Sequence, residues 1–251
     1  MGRRLVALAA EDPAVRLVAA LEHADCPALG QDAGTLAGIQ PVGVGLTSQL
    51  EQPVDVVIDF SVPAAAESIA QRCAAKRIPL VVATTGLNTQ QQAALQAAAA
   101  QIPLVWSPSM SLAVNLTMKL ATLAGKTLAD KAGGADVEII ERHHHHKEDA
   151  PSGTALRFGQ LIAEVMGQTV HRHGRQGFTG KRPANEIGYH AVRVGDNPGE
   201  HTIIYGMSGE TIELTVRATN RDCYALGALA AAKFVVGRAP GKYTMYDVLE
   251  L

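Results

Sequence analysis

The chain has 251 residues and a mass of 26.3 kDa, enough for one large or two modest domains with a well-buried core. Apolar residues make up 47% and charged residues 18%, a balance that excludes intrinsic disorder. With 22 Lys and Arg against 24 Asp and Glu the net charge is −2, so a non-specific nucleic-acid binder is excluded and no nucleic-acid partner is expected.

The opening Met1-Gly2-Arg3-Arg4 runs into an apolar Leu5–Ala10 that stops at Glu11-Asp12-Pro13. That stretch is too short for a secretory signal, and no apolar run approaches the roughly 20 residues of a membrane span. No membrane partner is expected. Cys26, Cys73 and Cys223 are odd in number, far apart and without a CxxC pair. They read as free thiols of a reducing cytoplasm. The segments 17–21, 54–60, 79–83 and 102–106 are short apolar runs suited to strands buried on both faces of a parallel sheet. Helical stretches lie between them at 63–75 and 88–100, with Pro63 suited to a first turn and Asn88 to an N-cap. Repeated strand–helix units predict a doubly wound α/β domain.

Beyond Met110 the pattern changes. A long helix over 112–129 precedes a strand at 136–141, whose alternation of acid and aliphatic residues predicts one face inside and the other toward water. A helix near 153–165, a Gly/Arg-rich loop from His171 to Pro183 and strands around 188–194, 201–205 and 211–218 complete an α+β unit with an open, mixed or antiparallel sheet. A last helix is predicted over 223–236, with a tail at 243–251.

The chemistry concentrates in Glu138–Ala155, where His143, His144, His145 and His146 form one run. The run is internal, so it is not a terminal tag; a solvated loop, a metal site and a proton-transfer site are the readings to weigh. If the run is extended, His143 and His145 share one face. Four adjacent ligands cannot converge on one tetrahedral ion without gross backbone distortion, so no metal is expected. Imidazole exchanges protons near neutrality, and Lys147 brings a cation that favours neutral imidazole and attracts anions. Asp149-Ala150-Pro151-Ser152-Gly153-Thr154 reads as a sharp turn opening a helix, whose hydroxyls and free N–H groups suit a carboxylate. Taken alone, Ser152-Gly153-Thr154 is an ordinary N-cap. Together, a proton carrier, an ammonium and a helix terminus point to a small mono- or dicarboxylate substrate.

The run Glu138–Ala155 closely resembles the signature of the 4-hydroxy-tetrahydrodipicolinate reductase (dihydrodipicolinate reductase) family, and the resemblance covers nearly the whole chain. It extends to Val57-Ile58-Asp59-Phe60-Ser61, Ala83-Thr84-Thr85-Gly86, Ser107–Ser111 with Val114-Asn115, Arg193–Thr202 and Asp247-Val248-Leu249. It implies reduction of 4-hydroxy-tetrahydrodipicolinate with NADPH or NADH and loss of water, in lysine and diaminopimelate biosynthesis. It implies His143 as proton donor, Lys147 as second catalytic donor, and His144, Gly153 and Thr154 as holders of the substrate carboxylates. Glu22, His23, Ala83, Thr84, Thr85, Ser107, Pro108, Ser109 and Met110 would line the dinucleotide. His23 stands where arginine is frequent in the family, and Ser109 where asparagine is usual, which leaves the choice between NADH and NADPH open.

The implied architecture is a Rossmann-like dinucleotide domain over 1–114 and 224–251, with a substrate-binding and oligomerisation domain over 115–223. A cytoplasmic homotetramer is implied as well. A catalytically impaired homologue and a metal- or ligand-binding protein built on the His run are the alternatives. Such a dinucleotide domain opens with a strand and a Gly-rich turn before its first helix, because the pyrophosphate packs on that helix's N-terminus. No Gly-x-x-Gly-x-x-Gly precedes the first helix here, so the first strand is expected to be lacking, Met1 to be an internal methionine, and this length of chain to be poorly stable.

Overall fold

The structure is a computed structural model that describes residues 1–130 and 134–251. The chain begins α1 (Gly2–Glu11), β1 (Ala20–Leu21), α2 (Ala33–Ala37), β2 (Leu46–Thr47), β3 (Val57–Asp59), α3 (Pro63–Lys76) and β4 (Leu80–Val82). It continues through α4 (Thr89–Ala99), β5 (Pro103–Trp106), α5 (Leu112–Leu128), β6 (Asp136–His143), α6 (Gly153–Met166) and β7 (Val170–His173). Then come β8 (Glu186–Arg193), β9 (Glu200–Met207), β10 (Glu210–Arg217), α7 (Asp222–Val235), β11 (Gly241–Tyr243) and α8 (Met245–Val248). Two compact units result, Met1–Leu112 with Asp222–Leu251, and Ala113–Arg221.

In the first unit four parallel strands lie in the order β11-β5-β4-β3. Alternate residues serve opposite cores. Leu80, Val82 and Leu104 pack with Ala70, Cys73, Leu95 and Ala98 of α3 and α4. Val81 and Val105 pack with Ala228, Ala231 and Val235 of α7 and with Met245 of α8. Both faces of the central strands are covered, so β4 and β5 are apolar at every position, and each fully buried Val or Leu contributes about 1.5–3 kcal/mol. Pro63 opens α3, and Asn88 caps α4 in a reciprocal pair with Gln91. At Gly227 of α7 a Cβ would fall 1.7 Å from the Met110 carbonyl oxygen, so only glycine allows this approach.

β1 and β2 form a separate two-stranded parallel sheet, with Ala20 opposite Leu46. The predicted strand over 17–21 is thus reduced to Ala20–Leu21. It pairs along one edge, and Leu21 is exposed. Apolar character alone does not extend a strand beyond the backbone partners available to it.

The second unit holds a mixed sheet in the order β10-β9-β6-β8-β7. Central β6 runs parallel to β8 and antiparallel to β9. The segment predicted as a loop from His171 contains a strand, β7, which pairs in parallel with β8. All four of its residues are exposed, so an edge strand without an apolar signal goes unseen in the sequence. One sheet face carries Val137, Ile139, Ile187, Tyr189, Ile203 and Tyr205, buried with Phe158 and Ile162 of α6. The Tyr205 hydroxyl donates to the Ala121 carbonyl of α5 at 2.6 Å. The other face carries Glu138, Ile140, His190, Val192, Thr202 and Ile204, half-buried or exposed.

Candidate active site

The second unit's site grows from the end of β6. Alternation places Glu141 and His143 on the covered face, in line with Val137 and Ile139. The Glu141 side chain is fully buried, and its Oε2 lies 2.6 Å from His143 Nδ1. Arg193, next to His143 on β8, donates both ends of its guanidinium to Glu141 at 2.8 Å. The Ser152 N–H donates to Glu141 Oε1 at 3.0 Å. Burial alone would push the Glu141 carboxyl up. The contacts from His143, Arg193 and Ser152 outweigh it and hold the group at about 2, so it is a carboxylate at neutral pH.

His201 of β9 completes the cluster, its ring edge-on to His143 with centroids 5.3 Å apart. Burial, helped by His143, lowers His201 to about 4 against the pull of Glu141, so it is neutral. Its Nε2 meets Ser152 Oγ at 3.1 Å, and the same Oγ accepts the Ala155 N–H as the N-cap of α6. The first two N–H groups of that helix, on Gly153 and Thr154, have no intrahelical acceptor. Its chain neighbours and the helix's own backbone aside, no atom of the described residues lies within 4 Å of where a Gly153 Cβ would be. The cap thus supplies an open pair of donors at a positive helix end.

The histidine run is not extended. The strand ends at His143 and the chain turns over 145–146, with the Lys147 N–H on the His144 carbonyl at 3.1 Å. His143 and His145 therefore do not share a strand face. His145 bonds the Gly195 carbonyl, and its ring lies tilted beside that of His146, with centroids 3.9 Å apart. His144 Nδ1 is buried with no partner among the described residues. Burial, then Arg221 and neighbouring cations, lowers its pKa. Among the described residues no three His, Cys, Asp or Glu side chains are grouped to hold a metal. Lys147 is ion-paired with Asp149 at 2.7 Å, so its charge is shared with that carboxylate rather than aimed wholly at the imidazoles.

Glu141, Arg193 and His201 are absent from the sequence-derived site. The signal for Glu141 was present in 136–141, where Ile140 breaks the acid–aliphatic alternation and turns Glu141 toward the buried side. Arg193 and His201 fall within the resembling block Arg193–Thr202, but nothing local tied them to Glu141, because the sheet alone brings their strands to β6.

In the first unit the predicted cofactor residues cluster at the C-terminal ends of parallel strands, where doubly wound sheets bind ligands. Glu22 and His23 follow β1 and are exposed, with Glu22 Oε1 accepting the His23 N–H. Ala83, Thr84 and Thr85 follow β4; Ser107, Pro108, Ser109 and Met110 follow β5. Three of these side chains serve the fold. Thr84 is buried and donates to Asp59 at 2.9 Å, Ser107 donates to the Ser109 carbonyl, and Met110 is in the core. Thr85 and Pro108 are exposed, and Ala83 and Ser109 half-buried. At the N-terminus of α1 no side chain caps the helix, its first turn holds no acid, and the space around Gly2 is open. That donor set fits a dinucleotide, with N–H groups for a pyrophosphate and a carboxylate for ribose hydroxyls.

A doubly wound sheet with polar groups at its strand ends, and a second unit carrying a buried carboxylate–imidazole pair, define an NAD(P)-dependent oxidoreductase. The profile for the N-terminal part of dihydrodipicolinate reductase matches residues 1–110, and that for its C-terminal part matches residues 113–249. The chain belongs to the dihydrodipicolinate reductase family. It is 57% identical to the 4-hydroxy-tetrahydrodipicolinate reductase of Rhodopirellula baltica, across 99% of this chain and 92% of that one. Identity to the enzyme of the same name from Alkalilimnicola ehrlichii is 47%, across 100% and 95%. A dipicolinate-bound dihydrodipicolinate reductase from a Paenisporosarcina species superposes with a TM-score of 0.77 at 25% identity, covering 98% of this chain and 94% of that one. An amine dehydrogenase from Mycobacterium smegmatis shares the fold, with a TM-score of 0.66 at 14% identity over 97% and 92% of the two chains.

Proposed function

We propose that this chain reduces 4-hydroxy-tetrahydrodipicolinate to tetrahydrodipicolinate, with loss of water, on the route to lysine and diaminopimelate. The observation that carries the site assignment is the buried Glu141–His143 pair beside Lys147 and the open N-terminus of α6. The first unit is the dinucleotide-binding domain and the second binds substrate. Glu22 and His23 face the adenosine ribose; Ala83, Thr85 and the 107–110 loop line the rest, with Thr84, Ser107 and Met110 contributing backbone. When bound, NADH or NADPH supplies a hydride to C4 of the cyclic imine left after the 4-hydroxyl departs as water.

His144 and the N–H groups of Gly153 and Thr154 hold the substrate carboxylates. The enamine formed at C3 takes up a proton from His143, and Lys147 stabilises the charge that develops nearby. The enzyme works in the cytoplasm; its three free cysteines support this, and among the described residues no helix is long and apolar enough to cross a membrane. A homotetramer assembled through the open sheet face is supported by half-exposed Ile140 and Ile204 and exposed Val192 on that face.

The test is oxidation of NADPH by the purified protein, supplied with freshly made product of the preceding synthase. His143→Gln is expected to cut kcat by roughly 10²–10⁴-fold with NADPH affinity little changed. Absence of turnover in the parent overturns the activity. Near-normal turnover in the variant removes His143 as proton donor.

A further inference from the structure

We infer that Glu141 is a positioning residue for the reaction, which with Arg193 locks His143 into the tautomer that carries its proton on Nδ1 and leaves Nε2 as the only nitrogen able to pass a proton. The inference rests on the reading of His143 as the proton donor and specifies which atom acts.

The argument is one of valence. A carboxylate only accepts hydrogen bonds. Glu141 has two oxygens, and both are in use. Oε1 accepts from Ser152 N–H and one Arg193 nitrogen, Oε2 from the other Arg193 nitrogen and from His143 Nδ1 at 2.6 Å. Arg193 cannot give up its charge, and it is itself anchored on the Asp149 carbonyl at 2.6 Å, so the carboxylate stays ionised. Nδ1 must then be the donor in both charge states of the ring. Protonation and deprotonation are left to Nε2.

The groups around the ring support that assignment. On β9 the neutral His201 stands edge-on and is bonded to Ser152, so it does not compete for the His143 nitrogens. On the loop after β6, Lys147 and Asp149 are paired with each other. Arg193 of β8 faces the carboxylate rather than the ring. Beside Nε2 lies Gly199, with φ of 152°; a Cβ there would sit 3.0 Å from Nε2. Glycine thus keeps the working nitrogen clear in a backbone conformation that other residues rarely adopt.

Glu141→Gln keeps the shape and removes the obligation, because a carboxamide both donates and accepts. It also leaves Arg193 without its countercharge, so the double variant Glu141→Gln/Arg193→Gln provides a neutral pair where the single variant does not fold. Expected in the folded variant is a fall in kcat of at least about tenfold with KM and NADPH affinity within about twofold. Nitrogen NMR of neutral His143 should show the Nδ1–H form alone in the parent and a mixture in the variant. A purely structural role would move stability without changing the tautomer. The inference is overturned if the parent shows the Nε2–H form, if the variant keeps the parent kcat, or if kcat falls with the tautomer unchanged. His143→Gln, assayed alongside, separates the two readings, since its retention of activity removes the proton donor itself.

Discussion

Glu138 and Glu141 sit three residues apart on β6, each is ringed by arginine and histidine, and each is held at about 2. They do different things. Glu138 lies on the open face with its side chain 20% exposed, where Arg175, Arg182 and His190 overcome the upward push of burial. It ties the loop after β7 to the sheet through Arg175 and Arg182, and Gly188 makes room for it. Glu141 lies on the closed face at 0% exposure, and its partners are the imidazole, one arginine and a backbone N–H. The lesson is that charge pairing alone does not mark a functional carboxylate. The mark is burial together with a partner that can move a proton.

The largest effect expected from breaking this contrast is Glu141→Ala, which strands the Arg193 charge inside the unit. A loss of about 3–5 kcal/mol is expected in urea denaturation. A loss below 1 kcal/mol would mean that water reaches the site and that the closed face is not closed.

Acid should unpick the two clusters in two stages. His201 sits at about 4, below the ordinary histidine value of 6.5. Its neutral form stabilises the fold fully above pH 6.5, and that contribution is lost as the pH falls toward 4. Glu141 and Glu138 sit at about 2, below the ordinary 4.5, so their contribution holds above 4.5 and is lost as the pH falls toward 2. Calorimetry of His201→Gln is expected to abolish most of the first stage, on the order of 2–3 kcal/mol, and to leave the second. An unchanged first stage would assign it to another group.

Glycines sharpen the comparison further. At Gly159 of α6 a Cβ would lie 1.7 Å from the hydroxyl of buried Tyr189, so Gly159→Ala should cost about 1–3 kcal/mol by thermal denaturation. A neutral result would show that Tyr189 can swing aside. The smallest effects belong to the open face. Glu138→Ala should cost about 1–2 kcal/mol, between the surface and buried ranges. Gly188→Ala, which displaces the flexible end of Glu138, should cost about 1 kcal/mol. A Glu138→Ala loss as large as that of Glu141→Ala would erase the distinction between the two faces.

Much of the architecture was legible because local rules and burial agree. The apolar runs that became β3, β4 and β5 are buried on both faces, and Asn88 caps α4 as its position suggests. β7 was not legible, since all of its residues are exposed and its pairing with β8 is a matter of backbone alone. The run 17–21 read as a full strand, yet only two residues found a partner.

The sequence by itself singled out His143 through Thr154 as the candidate site, because its residues are contiguous and their types are chemically telling. It also marked the buried strands β3, β4 and β5 and the helices α3 and α4 between them, since apolar patterning reports which positions meet water. Only the tertiary structure decided which histidine of the run faces inward, that Lys147 is shared with Asp149, and that Arg193 and His201 complete the cluster. Those residues come from β8 and β9, some 50–60 positions along the chain from β6. Strand register is what makes them neighbours, and register is settled by the packing of the whole sheet rather than by any local stretch of sequence.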